Sequence, residues 1–164
     1  MKVSQLIPAE HICIGWPSSN IPQSKSKREL IKCIVQFLCQ KNNIPKKNYS
    51  NIIEQVIERE KSMTTAIGHG FAIPHASLDE IEKPTGACVI LSEGIDFEAI
   101  DRENVHIIIL VLLPKKHYTK NIQILNNIVE LTNHDDIRDK WMHMKSAEDI
   151  WKDINRLENM DKSH

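Results

Sequence analysis

The chain alternates between segments with apolar residues at helical spacing and segments where they run almost unbroken. From Lys27 to Gln40, the residues Leu30, Ile31, Ile34, Val35, Phe37 and Leu38 fall on one side and Lys27, Arg28, Glu29, Lys32 and Gln36 on the other. That periodicity predicts an amphipathic helix docked on a core. Asn42-Asn43-Ile44-Pro45 interrupts it, and a second helix is predicted from about Asn48 to Lys61, with Ile52, Ile53, Val56 and Ile57 as its stripe. Further on, Tyr118 to Thr132 repeats the pattern with Ile122, Ile124, Leu125, Ile128, Val129 and Leu131. A short helix is predicted from His134 to Met144, and Ser146 is placed to cap a last one carrying Ile150, Trp151, Ile154 and Leu157.

Strands are predicted where the apolar run is continuous. Val105 to Leu113 is nearly all β-branched or apolar and stops at Pro114, so it reads as a central strand covered on both faces. Ala87 to Leu91 is a shorter run, His11 to Trp16 a candidate first strand, and Ile95 to Asp101 an edge segment or extended loop. Pro17 to Ser26 reads as a loop, and the tail from Asn159 to His164 as frayed. Helices before, between and after a few strands predict an α/β sandwich around a small mixed sheet, too irregular in order for strict βαβ repetition.

Composition narrows the class. The 164 residues suffice for one domain with its own core, and 21 basic against 22 acidic residues give a net charge of -1. That balance, with no long run of one sign, gives nucleic acid or anionic lipid nothing to hold. No apolar stretch approaches the ~20 residues of a membrane helix, and the N-terminus lacks a signal-peptide core, so the sequence is read as cytoplasmic, with no direct membrane insertion. Cys13, Cys33, Cys39 and Cys88 are scattered and read as reduced, buried or half-buried thiols.

The candidate chemistry lies in Ile67-Gly68-His69-Gly70-Phe71-Ala72-Ile73-Pro74-His75-Ala76. Two glycines permit backbone turns and Pro74 fixes its own φ, so His75 sits on a constrained path. No HExxH-type spacing supports a metal, and the adjacent His134-Asp135 reads as a solvated helix start. No cofactor is expected: Walker-type and complete dinucleotide glycine loops are absent, as is a serine elbow. Two readings of His75 stay open on the residues alone, a hydrogen-bonded structural histidine and a nucleophile that attacks phosphorus. The second requires a cation, for which Arg59 is the candidate, and backbone N–H donors, for which the turn Gly68, His69 and Gly70 is the candidate. His69 itself is read as supporting or exposed.

Glu60, then Ile67-Gly68, then Phe71-Ala72-Ile73-Pro74-His75-Ala76 resembles the phosphohistidine signature of the fructose/mannitol-type EIIA domains of the phosphoenolpyruvate-dependent phosphotransferase system, with Phe71 bulkier than the usual residue. Glu58-Arg59-Glu60-Lys61, Gly94-Ile95-Asp96-Phe97 and Val105 to Pro114 extend the likeness over about residues 6–157, so that 1–164 is read as one such domain. The resemblance implies the three-layer α/β/α sandwich of that family. It also implies a phosphocarrier that accepts a phosphoryl group from an HPr-type protein on His75, with Arg59 as active-site arginine, and passes it to an EIIB domain. A stand-alone domain is similar in particular to nitrogen-type EIIA proteins, which control a transporter, kinase or transcription factor by their phosphorylation state. At the position of the family's second histidine stands Asn121, with His117 one turn earlier as its stand-in. Phe71 and Ile73 are expected at an apolar rim around the site, and Lys115, Lys116 and Lys120 near it.

Overall fold

The computed structural model describes residues 1–17 and 26–160. In chain order these form α1 (Val3–Leu6), β1 (Ile12–Ile14), α2 (Lys27–Lys41), α3 (Tyr49–Ser62), β2 (Ala66–Gly68), β3 (Phe71–Ala72), β4 (His75–Leu78), β5 (Thr85–Ile95), β6 (Val105–Pro114), α4 (Tyr118–Thr132), α5 (Ile137–His143) and α6 (Ala147–Met160). Single 3-10 turns precede β1 and α3.

The sheet grows from β6, as its unbroken apolar run predicts. β5 pairs with it antiparallel, while β3 and β4 pair parallel to successive parts of its other edge. β1 then adds parallel to β5, and β2 antiparallel to β3, giving the order β1-β5-β6-β3-β2 with β4 beside β6. Strand side chains alternate between faces, so β6 divides cleanly. Ile108, Leu110 and Leu112 join the core under α2 and α3, and Ile107, Ile109, Val111 and Leu113 join the core under α1, α4, α5 and α6. The result is a three-layer sandwich of helices, mixed sheet and helices.

The predicted helices form close to their expected bounds because their caps and stripes agree. Ser26 accepts from Glu29 N–H at the start of α2, and Ser146 accepts from Asp149 N–H at the start of α6. β5 runs well beyond Ala87–Leu91, and the Ile95 to Asp101 segment is the end of β5 followed by loop. Of the expected loop 17–26, residues 18–25 lie outside the described residues. α6 continues to Met160, and residues 161–164 of the expected frayed tail also lie outside. Cys33, Cys39 and Cys88 are buried and Cys13 is half-buried, with burial pushing the Cys39 thiol up to about 11. Among the described residues, no helix is long and apolar enough to cross a membrane.

One polar contact locks α5 to α6. The indole N–H of Trp141, a side chain with no exposure, donates to Asp153 at 2.8 Å, and Lys140 and Arg156 reach the other carboxylate oxygen at 2.6 and 2.8 Å. Both cations are about half exposed, so the Trp141 bond dominates. Asp153→Ala is expected to cost about 2 kcal/mol, because it orphans a buried donor. Urea denaturation reads this directly, and an unchanged midpoint rejects it.

Candidate functional site

His75 is the first residue of β4, and β4 lies between two helices at an edge of the sheet. It pairs with β6 alone among the described strands. The carbonyls of Pro74 and Leu78 accept from Val111 and Lys115 N–H, so the backbone groups of even-numbered residues face β6. By strand alternation the N–H groups of His75 and Ser77 turn to the open edge. Side chains alternate too: Ala76 and Leu78 enter the core beneath α2 and α3, leaving His75 and Ser77 on the opposite face.

That edge opens into a cleft of about 530 Å³. Glu54, Gln55, Glu58 and Arg59 of α3 form one wall, and Tyr118, Asn121, Ile122 and Leu125 of α4 the other. His75, Ala76, Ser77 and Leu113 of the sheet lie between them. Tyr118 and Ile122 are exposed at its mouth.

The imidazole of His75 is fixed in one tautomer. Its Nδ1 lies 2.8 Å from the Ile73 carbonyl, which can only accept, so Nδ1 carries the proton and Nε2 the lone pair. Burial pushes its pKa below the ordinary 6.5, and the Arg59 guanidinium adds to that shift, against the opposing Ile73 carbonyl and Glu60 carboxylate. The ring is therefore neutral and nucleophilic over a wider pH range than a free histidine. Arg59 sits in the last turn of α3, where Nη1 donates to the Met63 carbonyl at 3.2 Å, and it forms no ion pair with a described residue.

Glu60, one residue on, turns away from this cleft. It is 4% exposed and accepts from Thr65 N–H at 3.0 Å and the Thr65 hydroxyl at 2.6 Å, with Lys27 Nζ at 2.8 Å. Lys27 in turn reaches the Phe97 carbonyl at 3.3 Å and lies over its ring. This cluster ties α2, the end of α3, the entry to β2 and the segment after β5 into one unit.

The turn of Gly68, His69 and Gly70 does not cradle anything at His75. It is the β2–β3 hairpin, and Gly70 bonds to His106 and Ile107 near the start of β6, whereas His75 pairs with Val111. Four to five residues of strand, roughly 3.3 Å each, separate them. The His69 N–H is already taken by Asp101 at 3.0 Å. The glycines serve the hairpin itself: Gly68 and Gly70 have φ of 93° and 83°, and a Cβ on Gly70 would lie 2.7 Å from Cδ of Arg138. The backbone N–H groups closest in sequence to the His75 ring that β6 does not take are instead those of His75 and Ser77 on β4.

Other expected site residues divide similarly. Phe71 and Ile73 are core rather than rim, 2% and 4% exposed, with Phe71 edge-on to Trp141 at 6.4 Å. Tyr118, Ile122 and Leu125 form the rim instead. Lys115, Lys116 and Lys120 are exposed and do not line the cleft. His117 is the exposed N-cap of α4 and is also absent from the lining, whereas Asn121 is in it. Asn121 is buried because it continues the stripe Ile124, Ile128 and Leu131 at helical spacing. A polar residue on an apolar stripe was the sequence signal for it. His134 and Asp135 lie with His69 along a separate polar cleft.

A three-layer sandwich with a tautomer-locked histidine on an edge strand, in a cleft it shares with an arginine, defines an α/β protein with a candidate nucleophile site. Residues 19–157 match the family model of the phosphoenolpyruvate-dependent sugar phosphotransferase system, EIIA 2, and the chain belongs to that family. It is 27% identical over 148 residues to the PTS system fructose-specific EIIA component of Haloferax volcanii, covering 90% of this chain and 91% of that one. It is 30% identical over 137 residues to the nitrogen regulatory protein of Bradyrhizobium diazoefficiens, covering 82% and 88%. The fold is similar to the crystal structure of nitrogen regulatory protein IIA-Ntr from Neisseria meningitidis, with a TM-score of 0.81 at 24% identity over 93% of this chain and 98% of that one.

Proposed function

We propose that this protein is a cytoplasmic phosphohistidine carrier whose acceptor atom is Nε2 of His75. The lone pair on Nε2 forms a new P–N bond as the P–N bond to an HPr-type donor breaks, and that bond's electron pair returns to the donor nitrogen. The His75 ring gains positive charge, and its Nδ1–H remains on the Ile73 carbonyl, which stabilises that charge. Arg59 and the N–H groups of the open β4 edge meet the phosphoryl oxygens. The locked tautomer is the observation that carries this reading, because it leaves the lone pair on the nitrogen that is not engaged with the main chain.

The phosphoryl group then moves to an EIIB domain, or it stays as a signal read by a regulated transporter or kinase. Similarity to a nitrogen regulatory protein at 30% identity supports the second use, and similarity to a fructose-specific component supports the first. Incubation with phosphoenolpyruvate, enzyme I and HPr, followed by intact-mass measurement, is the test. Wild type should gain one phosphoryl group and His75→Ala none; equal gain by both rejects the assignment. A pull-down with phosphorylated and unphosphorylated protein separates relay from signal, since a signal requires partners that change with state.

The pH profile follows from the lowered His75 pKa. Phosphoryl acceptance should stay flat as pH falls through 6.5 and decline only below it, because protonation removes the Nε2 lone pair. Single-turnover rates measured across this range would contradict the site geometry if the midpoint lay above 6.5.

A further inference from the structure

We propose that the hydroxyl of Ser77 is a further phosphoryl-binding group, donating a hydrogen bond to an oxygen of the phosphoryl group that His75 carries. The inference rests on the phosphocarrier reading above. His75 and Ser77 are the first and third residues of β4, while Ala76 and Leu78 enter the core. The two side chains therefore rise from the same face of one strand, roughly 6.6 Å apart along it. Both line the same cleft. His75 is half-buried, whereas Ser77 is exposed and its hydroxyl has no hydrogen-bond partner among the described residues.

The orientation of the ring selects Ser77 over the other polar groups of the cleft. Nδ1 is held at the Ile73 carbonyl, two residues back along the chain. In an imidazole the second nitrogen lies beyond Cε1 on the side of Cδ2, so Nε2 is turned away from Ile73 and outward from the strand. Two residues in the opposite direction stands Ser77, whose hydroxyl is open to solvent and gives up no protein contact when it donates. The remaining polar side chains compete poorly for this role. Glu54 and Glu58 only accept when ionised, and Asn121 already spends Nδ2 on the Pro114 carbonyl at 2.7 Å. Gln55 and Tyr118 stand on the helical walls, whereas Ser77 is fixed to His75 by the backbone of β4 itself. The serine keeps its proton throughout, so the bonds made and broken are those of the transfer already described. Its bond to an anionic oxygen is charge-assisted and adds a donor from the strand face to Arg59 and the β4 N–H groups.

The test is single-turnover phosphorylation of wild type, Ser77→Ala and Ser77→Thr by two donors, phosphorylated HPr and the small molecule phosphoramidate, read by intact mass. Ser77→Ala should be slower by about tenfold with both donors, less than the loss of a water-excluded donor because solvent reaches this position. Ser77→Thr keeps the hydroxyl and should stay within about threefold of wild type. Wild-type rates for Ser77→Ala with phosphoramidate overturn the inference, as does a Ser77→Thr rate as low as that of Ser77→Ala. A loss seen with phosphorylated HPr alone assigns Ser77 to docking of the donor protein and overturns it as well. Each of these results leaves His75 phosphorylated and the carrier reading intact. A wild type that gains no phosphoryl group beyond what His75→Ala gains overturns both.

Discussion

Arg59→Ala is expected to slow phosphoryl acceptance about 10²- to 10³-fold while leaving thermal stability nearly unchanged. A phosphoryl group in transfer spreads negative charge over three oxygens, and among the described residues the one guanidinium lining the His75 cleft is that of Arg59. Its guanidinium donates to the Met63 carbonyl at 3.2 Å, at the end of its own helix, and forms no ion pair with a described residue, so its removal breaks no buried ion pair among them. The loss of a cation from the C-terminal turn costs only a few tenths of a kcal/mol to about 1 kcal/mol through the helix dipole. Rate and stability should thus separate. Arg59→Lys keeps the charge but loses the planar fork, and it should recover part of the rate. Single-turnover transfer from phosphorylated HPr measures both variants, and wild-type rates in Arg59→Ala would remove Arg59 from the site.

The parts of the fold legible from sequence are those whose pattern is longer than a few residues. β6 announced its two-sided burial because Val105 to Leu113 has no polar face apart from His106, and α4 matched its expected bounds because its stripe is regular. The strands β2, β3 and β4 are three, two and four residues long, too short for alternation to show, so the stretch from Ile67 to Ala76 read as a constrained turn. That is why sequence proximity assigns the glycine turn to His75. Five residues apart in sequence suggests neighbours, but extended backbone carries the hairpin toward one end of β6 and His75 toward the other.

The same shortness hid the donors proposed for the phosphoryl oxygens. The open edge of β4 exists only because β3 and β4 occupy successive parts of one β6 edge, a pairing that local sequence does not specify. Phe71 and Ile73 were misplaced for a related reason: both lie beside the site in sequence, yet each points into the core beneath α4, α5 and α6. Asn121 was reachable from the 121–124–128–131 spacing, whereas the bond from its Nδ2 depends on the Pro114 carbonyl seven residues earlier.

Glu60 illustrates how a signature residue contributes without touching the cleft, and Glu60→Ala is expected to destabilise the protein by about 3 kcal/mol. The carboxylate is 3% exposed and its partners are a buried backbone N–H, a buried hydroxyl and Lys27 Nζ at 2.8 Å. Removing it strands the Thr65 donors, which are closed off from water, and leaves Lys27 with the Phe97 carbonyl and ring. Lys27 retains 18% exposure, so its loss of a partner costs less than that of a fully buried cation. At this chain length the change corresponds to a Tm lowered by roughly 6–12 °C. Lys27→Met alone should cost less than Glu60→Ala, since it leaves Glu60 with the two Thr65 donors. The double variant should be less destabilised than the sum of the single ones, by a coupling of about 1–2 kcal/mol. Calorimetry on the four proteins completes the cycle, and additive effects would mean that the 2.8 Å pair contributes no coupling. Because Glu60 is adjacent to Arg59 and anchors the entry to β2, the single variant should also slow phosphoryl acceptance at temperatures where it remains folded. In the double variant, restored stability without restored rate would assign Glu60 a part in holding Arg59 to the cleft as well as in holding α3 to the sheet.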